Sequence, residues 1–349
     1  MNKIEYNYKK LIVFFYFIIP FVFYLVPYLL SLEYGGLSFH FFKTFFVTKN
    51  ELFVLFIGHV MLGSGIIWML SSVKYTIIFR ESKSFSSDIC AIVLFVIYFY
   101  VPISYVTIFA FPLFVLCISR SMPYNITFVI LLFIACMQLI FNYDRYPVIM
   151  VLIIWSVKLL SGFNYNKLFF GSILAIVFLI YVLQPLRAGI IPFANQGALD
   201  SLSYFFIHLN PIYICAYLSY SLDFSVWVLL SESIPLMKSI IGSDGVIEII
   251  ANYGLPDDII ADGIRYGSNS SMYFSPLGTI ILLLGGGLIR YSLKYIKLTV
   301  FKNAVMLNFI LQGPYFIRRS FGSMIIDFIV MLFVAFLFFL FIKTYNKSR

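Results

Sequence analysis

Long apolar runs separated by short polar breaks fill almost the whole chain. Leu11–Leu30 and Glu51–Leu70 are each about 20 residues long, the length that crosses a bilayer as an α-helix. Asp88–Ser119 is one apolar stretch of about 30 residues, too long for one crossing helix and short for two, and predicts a tight hairpin of two short helices turning near Pro102. Tyr124–Phe141 and Tyr146–Leu160 follow, parted by Asn142-Tyr143-Asp144-Arg145, and Leu168–Leu183 stops at Gln184-Pro185. Phe274–Ile289 resumes the pattern. Leu298–Gln312 is a weaker run containing Lys302, Asn303, Asn308 and Gln312; Gly313-Pro314 breaks it, and Met324–Ile342 is the last run. The expectation is an all-α integral membrane protein of about 10–12 transmembrane helices. The chain 1–349 reads as one polytopic membrane domain, in which residues 184–272 form a large extracytoplasmic loop or cap. Two apolar runs inside that cap, Ser201–Ser221 and Phe224–Met237, either cross as a pair or lie as helices in the outer interface.

Charge gives this pattern a direction. Lys3, Lys9 and Lys10 precede the first run, Lys74, Arg80 and Lys83 follow the second, and Lys343, Lys347 and Arg349 follow the last, which places these segments and both termini in the cytoplasm. On that topology twelve of the fifteen lysines are inside, as the positive-inside rule requires. Five of the nine arginines, Arg145, Arg187, Arg265, Arg318 and Arg319, fall outside. Lipid anchoring would not select arginine over lysine, whereas a planar guanidinium that grips phosphate or carboxylate in two places would.

Composition agrees with the membrane reading: 62% hydrophobic, 11% charged, mean hydropathy +0.98. A soluble domain carries about 25% charged residues. The net charge of +9 is mostly lysine at inner helix ends, so it is no nucleic-acid footprint. Cys90, Cys117, Cys136 and Cys215 all lie in apolar runs without a CxxC or Cys/His cluster, which supports neither a disulfide framework nor a metal site. The sequence contains no DxD, Walker A or dinucleotide-binding fingerprint, and no cofactor is implied. Gly285-Gly286-Gly287 within a span predicts close helix packing.

Three further residues could carry chemistry. Asp327 lies early in the last span, on one face with Arg319 and Ser323, and an ionisable residue inside a span is a functional candidate. A salt bridge that fixes the helix is the alternative role. His208 shares a helical face with Asp200 and Tyr204, and a base that takes a proton from a sugar hydroxyl would suit it; a structural hydrogen-bonded histidine is the commoner case. Asp262, with Asp257 and Asp258, precedes Arg265 and suits acceptor hydroxyls or a solvated turn around Pro256. His59, mid-span, and His40, in a short loop, are weaker candidates.

With these residues in view, the chain resembles the bacterial O-antigen polymerases, the oligosaccharide repeat-unit polymerase (Wzy) family. The resemblance covers most of the chain as topology and a few short stretches as sequence. Asp144-Arg145-Tyr146-Pro147 is similar to the family's arginine-led helix start, and Leu186-Arg187-Ala188-Gly189 to the opening of its large periplasmic loop. Leu229–Pro235 and Gly267–Gly278 resemble its leucine-rich Ile-Pro segment and its glycine-serine stretch. The chain departs from the pattern at Leu236, where the family often has arginine. The resemblance implies a GT-C-like glycosyltransferase bundle in the bacterial inner membrane. The growing glycan would move from undecaprenyl diphosphate to a sugar hydroxyl of a new lipid-linked repeat unit. Arg145, Arg187 and Arg265 would hold the diphosphate, Arg318 and Arg319 would support them, Asp327 would orient an arginine, and His208 or Asp262 would act as base. The implied partners are the undecaprenyl-diphosphate-linked oligosaccharide, membrane lipids and a chain-length regulator protein. A flippase or transporter of lipid-linked oligosaccharide is the second reading. O-antigen ligase is the third, disfavoured because Leu209 follows His208.

Overall fold

The computed structural model describes residues 3–40, 44–72, 76–80, 85–101, 104–120, 123–142, 146–159, 276–296, 298–318, 327–334 and 336–337. These residues are mostly helical. Helices Lys9–Tyr34 and Lys49–Leu70 are long and apolar enough to cross a membrane, judged by length and composition.

Strand β1 (Lys3–Asn7) leads into α1, the continuous helix Lys9–Tyr34. A π-turn over Phe14–Ile18 interrupts α1, and Pro20 supplies its cause. Proline has no N–H for the carbonyl four residues back, here Tyr16, and its ring crowds that carbonyl. The ladder widens instead, with the Ile19 N–H reaching back to the Phe14 carbonyl. The Tyr16 carbonyl lies against Gly63 of α2 (Lys49–Leu70). A Cβ at Gly63 would land on that oxygen, so only glycine lets the two backbones meet.

Between α1 and α2 the chain turns through Gly35, whose φ of 72° is the left-handed conformation that ends helices. Strands β2 (Gly36–His40) and β3 (Thr44–Thr48) follow as an antiparallel pair with Leu37 opposite Val47 and Phe39 opposite Phe45. Thr48 and Glu51 then start α2 with reciprocal side-chain-to-backbone bonds, a capping box. At the other end of the helix pair, β4 (Thr76–Arg80) returns to β1 antiparallel, with Ile4 opposite Phe79 and Lys3 opposite Arg80. Each end of the α1/α2 pair therefore carries a short two-stranded sheet beside the helices that dominate the described residues.

The Asp88–Ser119 stretch folds as expected into two short helices, α3 (Phe85–Tyr100) and α4 (Ser104–Arg120), packed against one another. Buried Asp88 in the first turn of α3 accepts from the Tyr124 N–H at 2.9 Å and the Thr127 hydroxyl at 2.6 Å. Those bonds anchor the start of α5 (Asn125–Asn142), which is followed by α6 (Tyr146–Leu159). Helix α7 (Pro276–Tyr295) lies on α2, with Gly286 and Gly287 against the Trp68 ring, as the glycine run predicted. Arg290 donates to the Trp68 carbonyl and the Ser71 hydroxyl, each at 2.8 Å, and sits 5.0 Å over the Trp68 ring. A cation there complements the negative end of α2.

Helix α8 (Thr299–Gln312) is the centre of the assembly. Phe301 and every residue from Asn303 to Gln312 are buried, among α4, α6, β4 and the start of α1. Outward faces are the reverse: α5 exposes Ile126 (70%), Val129 and Phe133, and α7 exposes Ile280, Leu284 and Leu288 (68%). Apolar side chains at this spacing along a helix need an apolar surrounding.

Candidate functional site

The candidate site lies at the C-terminal end of α8. The Phe309 carbonyl accepts from the Tyr16 hydroxyl at 2.6 Å and from the Gly313 N–H. A Cβ at Gly313 would stand 2.7 Å from the Phe15 ring, so the end of α8 packs directly on Phe15 and Tyr16. At 1.5 Å per residue this is about 10 Å along α1 from its first turn. A helix C-terminus, with its exposed carbonyls and partial negative charge, is thus held inside the bundle. Helix α8 itself is about 21 Å long, short of the roughly 30 Å hydrocarbon core. Pro314 stops it, and residues Gly313–Arg318 continue as a 3-10 turn whose Phe316 ring is 4.7 Å from that of Tyr16.

Asn308 and Gln312 occupy one face of this last turn, four residues apart. Gln312 Nε2 donates to Asn308 Oδ1 at 2.7 Å and also to Asp327 Oδ2 from the start of the last described helix, residues 327–334. A carboxylate only accepts, so the Gln312 amide must present its nitrogen to Asp327 and its oxygen elsewhere. Asn308 is 1% and Gln312 0% exposed. Asn308 Nδ2 and Gln312 Oε1 find no hydrogen-bond partner among the described residues. The result is a half-buried carboxylate gathered with two buried carboxamides and a helix C-terminus. Such a group can orient a guanidinium or hold a hydroxyl.

Of the residues expected to act on the substrate or its diphosphate, Asp327 is the one whose side chain is described, and it bonds to Gln312. Arg318 is placed as the last residue of the 3-10 turn that leaves the site. Arg145, Arg187, His208, Asp262, Arg265 and Arg319 lie outside the described residues, as do Cys215, the run Leu168–Leu183 and the cap 184–272. His59 is buried, gives its Nδ1–H to the Leu55 carbonyl at 3.2 Å and stacks on the Tyr24 ring at 3.8 Å, a structural role. Among the described residues no group of three or more His, Cys, Asp or Glu could hold a metal.

Asn308 and Gln312 were visible in the sequence only as polar residues that weaken an apolar run. Two carboxamides at i and i+4, followed at once by Gly-Pro, would have been the signal: matched amides at a forced helix end. No protein-family model, no curated protein and no solved structure matches the chain.

Proposed function

We propose that this chain is a polytopic inner-membrane glycosyltransferase with a GT-C-like bundle. In this reading it extends a surface polysaccharide by moving the growing glycan from undecaprenyl diphosphate to a new lipid-linked repeat unit. The observation that carries the proposal is the cluster of half-buried Asp327 with buried Gln312 and Asn308 at the broken end of α8, close in sequence to Arg318 and Arg319. A carboxylate in an apolar bundle is costly unless it is hydrogen-bonded or paired with a cation. Arg318 and Arg319 are the nearest cations along the chain to Asp327. Asp327 would hold one of them in place, and the arginine set Arg145, Arg187, Arg265, Arg318 and Arg319 would stabilise the diphosphate as charge builds on it in the transition state. A sugar hydroxyl attacks the anomeric carbon, the bond to the diphosphate oxygen breaks, and His208 or Asp262 takes the hydroxyl proton. The outward apolar faces of α5 and α7 suit lipid. Membrane lipids, the lipid-linked oligosaccharide and a chain-length regulator would be the partners.

Reconstitution tests this directly. Purified protein in liposomes is given undecaprenyl-diphosphate-linked repeat units, and glycan length and released undecaprenyl diphosphate are followed together. The proposal requires one diphosphate released per linkage formed. Release without chain growth, or neither, removes it.

One feature favours a second reading. A short helix that ends inside the bundle and is broken by Gly313-Pro314 is also how transporters present a helix C-terminus to a coordinated ion. Movement of the lipid-linked oligosaccharide between leaflets without glycan extension, in the same liposomes, would select that reading.

A further inference from the structure

The two carboxamides at the end of α8 are matched on one edge and open on the other. Two facing primary amides can close a ring of two N–H···O bonds. Asn308 and Gln312 make only one, from Gln312 Nε2 to Asn308 Oδ1 at 2.7 Å. The complementary atoms, Asn308 Nδ2 and Gln312 Oε1, are both buried and have no partner among the described residues. Asp327 fixes this arrangement, because rotating the Gln312 amide would set its oxygen against the carboxylate.

An open donor and an open acceptor on two side chains that already share a hydrogen bond limit what a single group could bridge. A phosphate or carboxylate only accepts; it would satisfy Asn308 Nδ2 and repel both Gln312 Oε1 and Asp327. A metal ion or an ammonium group would satisfy Gln312 Oε1 and meet the Asn308 N–H head-on. A hydroxyl does both, and it is the smallest group that does. We infer that Asn308 and Gln312 form a binding site for one hydroxyl group, which accepts from Asn308 Nδ2 and donates to Gln312 Oε1. Buried polar atoms without a protein partner are where ordered water or a ligand hydroxyl is retained.

The site binds and orients; it does not move the proton onward. Gln312 Oε1 is an amide oxygen without a proton to pass to Asp327, so the chain hydroxyl–Gln312–Asp327 aligns dipoles and strengthens the Gln312–Asp327 bond. The hydroxyl has two sources, water or a sugar, and the inference does not depend on the glycosyltransferase reading.

The test is a structure of the full chain in lipid nanodiscs, at a resolution that shows ordered water, determined without sugar and again with glucose added. Isolated density between Asn308 Nδ2 and Gln312 Oε1 in the sugar-free protein assigns a water. Density that is absent without sugar and present with glucose assigns a sugar hydroxyl. An empty gap under both conditions overturns the inference. The same experiment on Asn308→Leu should lose the density, and its persistence there also overturns the assignment.

Discussion

Gly63→Ala should separate α1 from α2. The added methyl carbon would fall on the Tyr16 carbonyl oxygen and stand 2.9 Å from the carbonyl carbon, and both atoms belong to backbone that no rotamer change can move. Overpacking of a well-filled core costs about 1–3 kcal/mol, and a backbone-on-backbone clash belongs at the upper end. Alanine recovers about 1 kcal/mol through its better helix propensity. The difference, 3 minus 1, is a net loss of about 2 kcal/mol. Gly285 in α7 provides the control, because a Cβ there meets nothing within 4 Å. Gly285→Ala should therefore show only the propensity gain, about 0.5–1 kcal/mol of stabilisation. Unfolding of both variants in mixed micelles, by heat or by graded denaturing detergent, reads the contrast. The reasoning is refuted if Gly63→Ala is as stable as wild type, or if Gly285→Ala loses as much as Gly63→Ala.

Tyr16→Phe removes the hydroxyl that bonds to Phe309, but that carbonyl keeps the Gly313 N–H, so the loss should be about 1 kcal/mol in the same unfolding assay. Asp88→Ala leaves the Tyr124 N–H and the Thr127 hydroxyl without their carboxylate; a drop of about 1–3 kcal/mol is expected, and a stability equal to wild type would mean that Asp88 does not anchor α5. Asp327→Asn keeps an oxygen for Gln312 and loses the charge, so on the proposed function stability should hold while polymer formation falls roughly tenfold or more, the scale of one charge-assisted hydrogen bond. On the expected topology with the N-terminus inside, cysteine at exposed Ser38 in β2 should react with an impermeant thiol reagent from outside intact cells, and cysteine at Lys3 in β1 only after permeabilisation, because the two sheets cap opposite ends of the α1/α2 pair.

Helix positions were legible because each depends on one long apolar run. The Asp88–Ser119 hairpin followed from its length together with the need to keep Arg120 and the later basic loops inside, and the end of α8 followed from Gly313-Pro314, since proline cannot continue the ladder. The sheets were less legible. Lys3-Ile4-Glu5-Tyr6-Asn7 alternates with period two, but five residues carry little signal, and the partner Thr76–Arg80 is distant in sequence and does not alternate. The π-turn needed both Pro20 and knowledge that Gly63 packs opposite Tyr16. At the site, Asp327 stood out because a charge in an apolar run is conspicuous. Its bond to Gln312 was hidden, because it depends on how two helices meet rather than on any spacing within one.

The most direct test of the proposed polymerase is the lipopolysaccharide ladder of the source strain with this gene deleted, complemented by wild type or by Arg187→Ala at matched expression. The account predicts collapse to core plus a single repeat unit, restoration by wild type, and no restoration by Arg187→Ala. Loss of every O-antigen band, including the single repeat, would contradict it and point to a ligase or flippase.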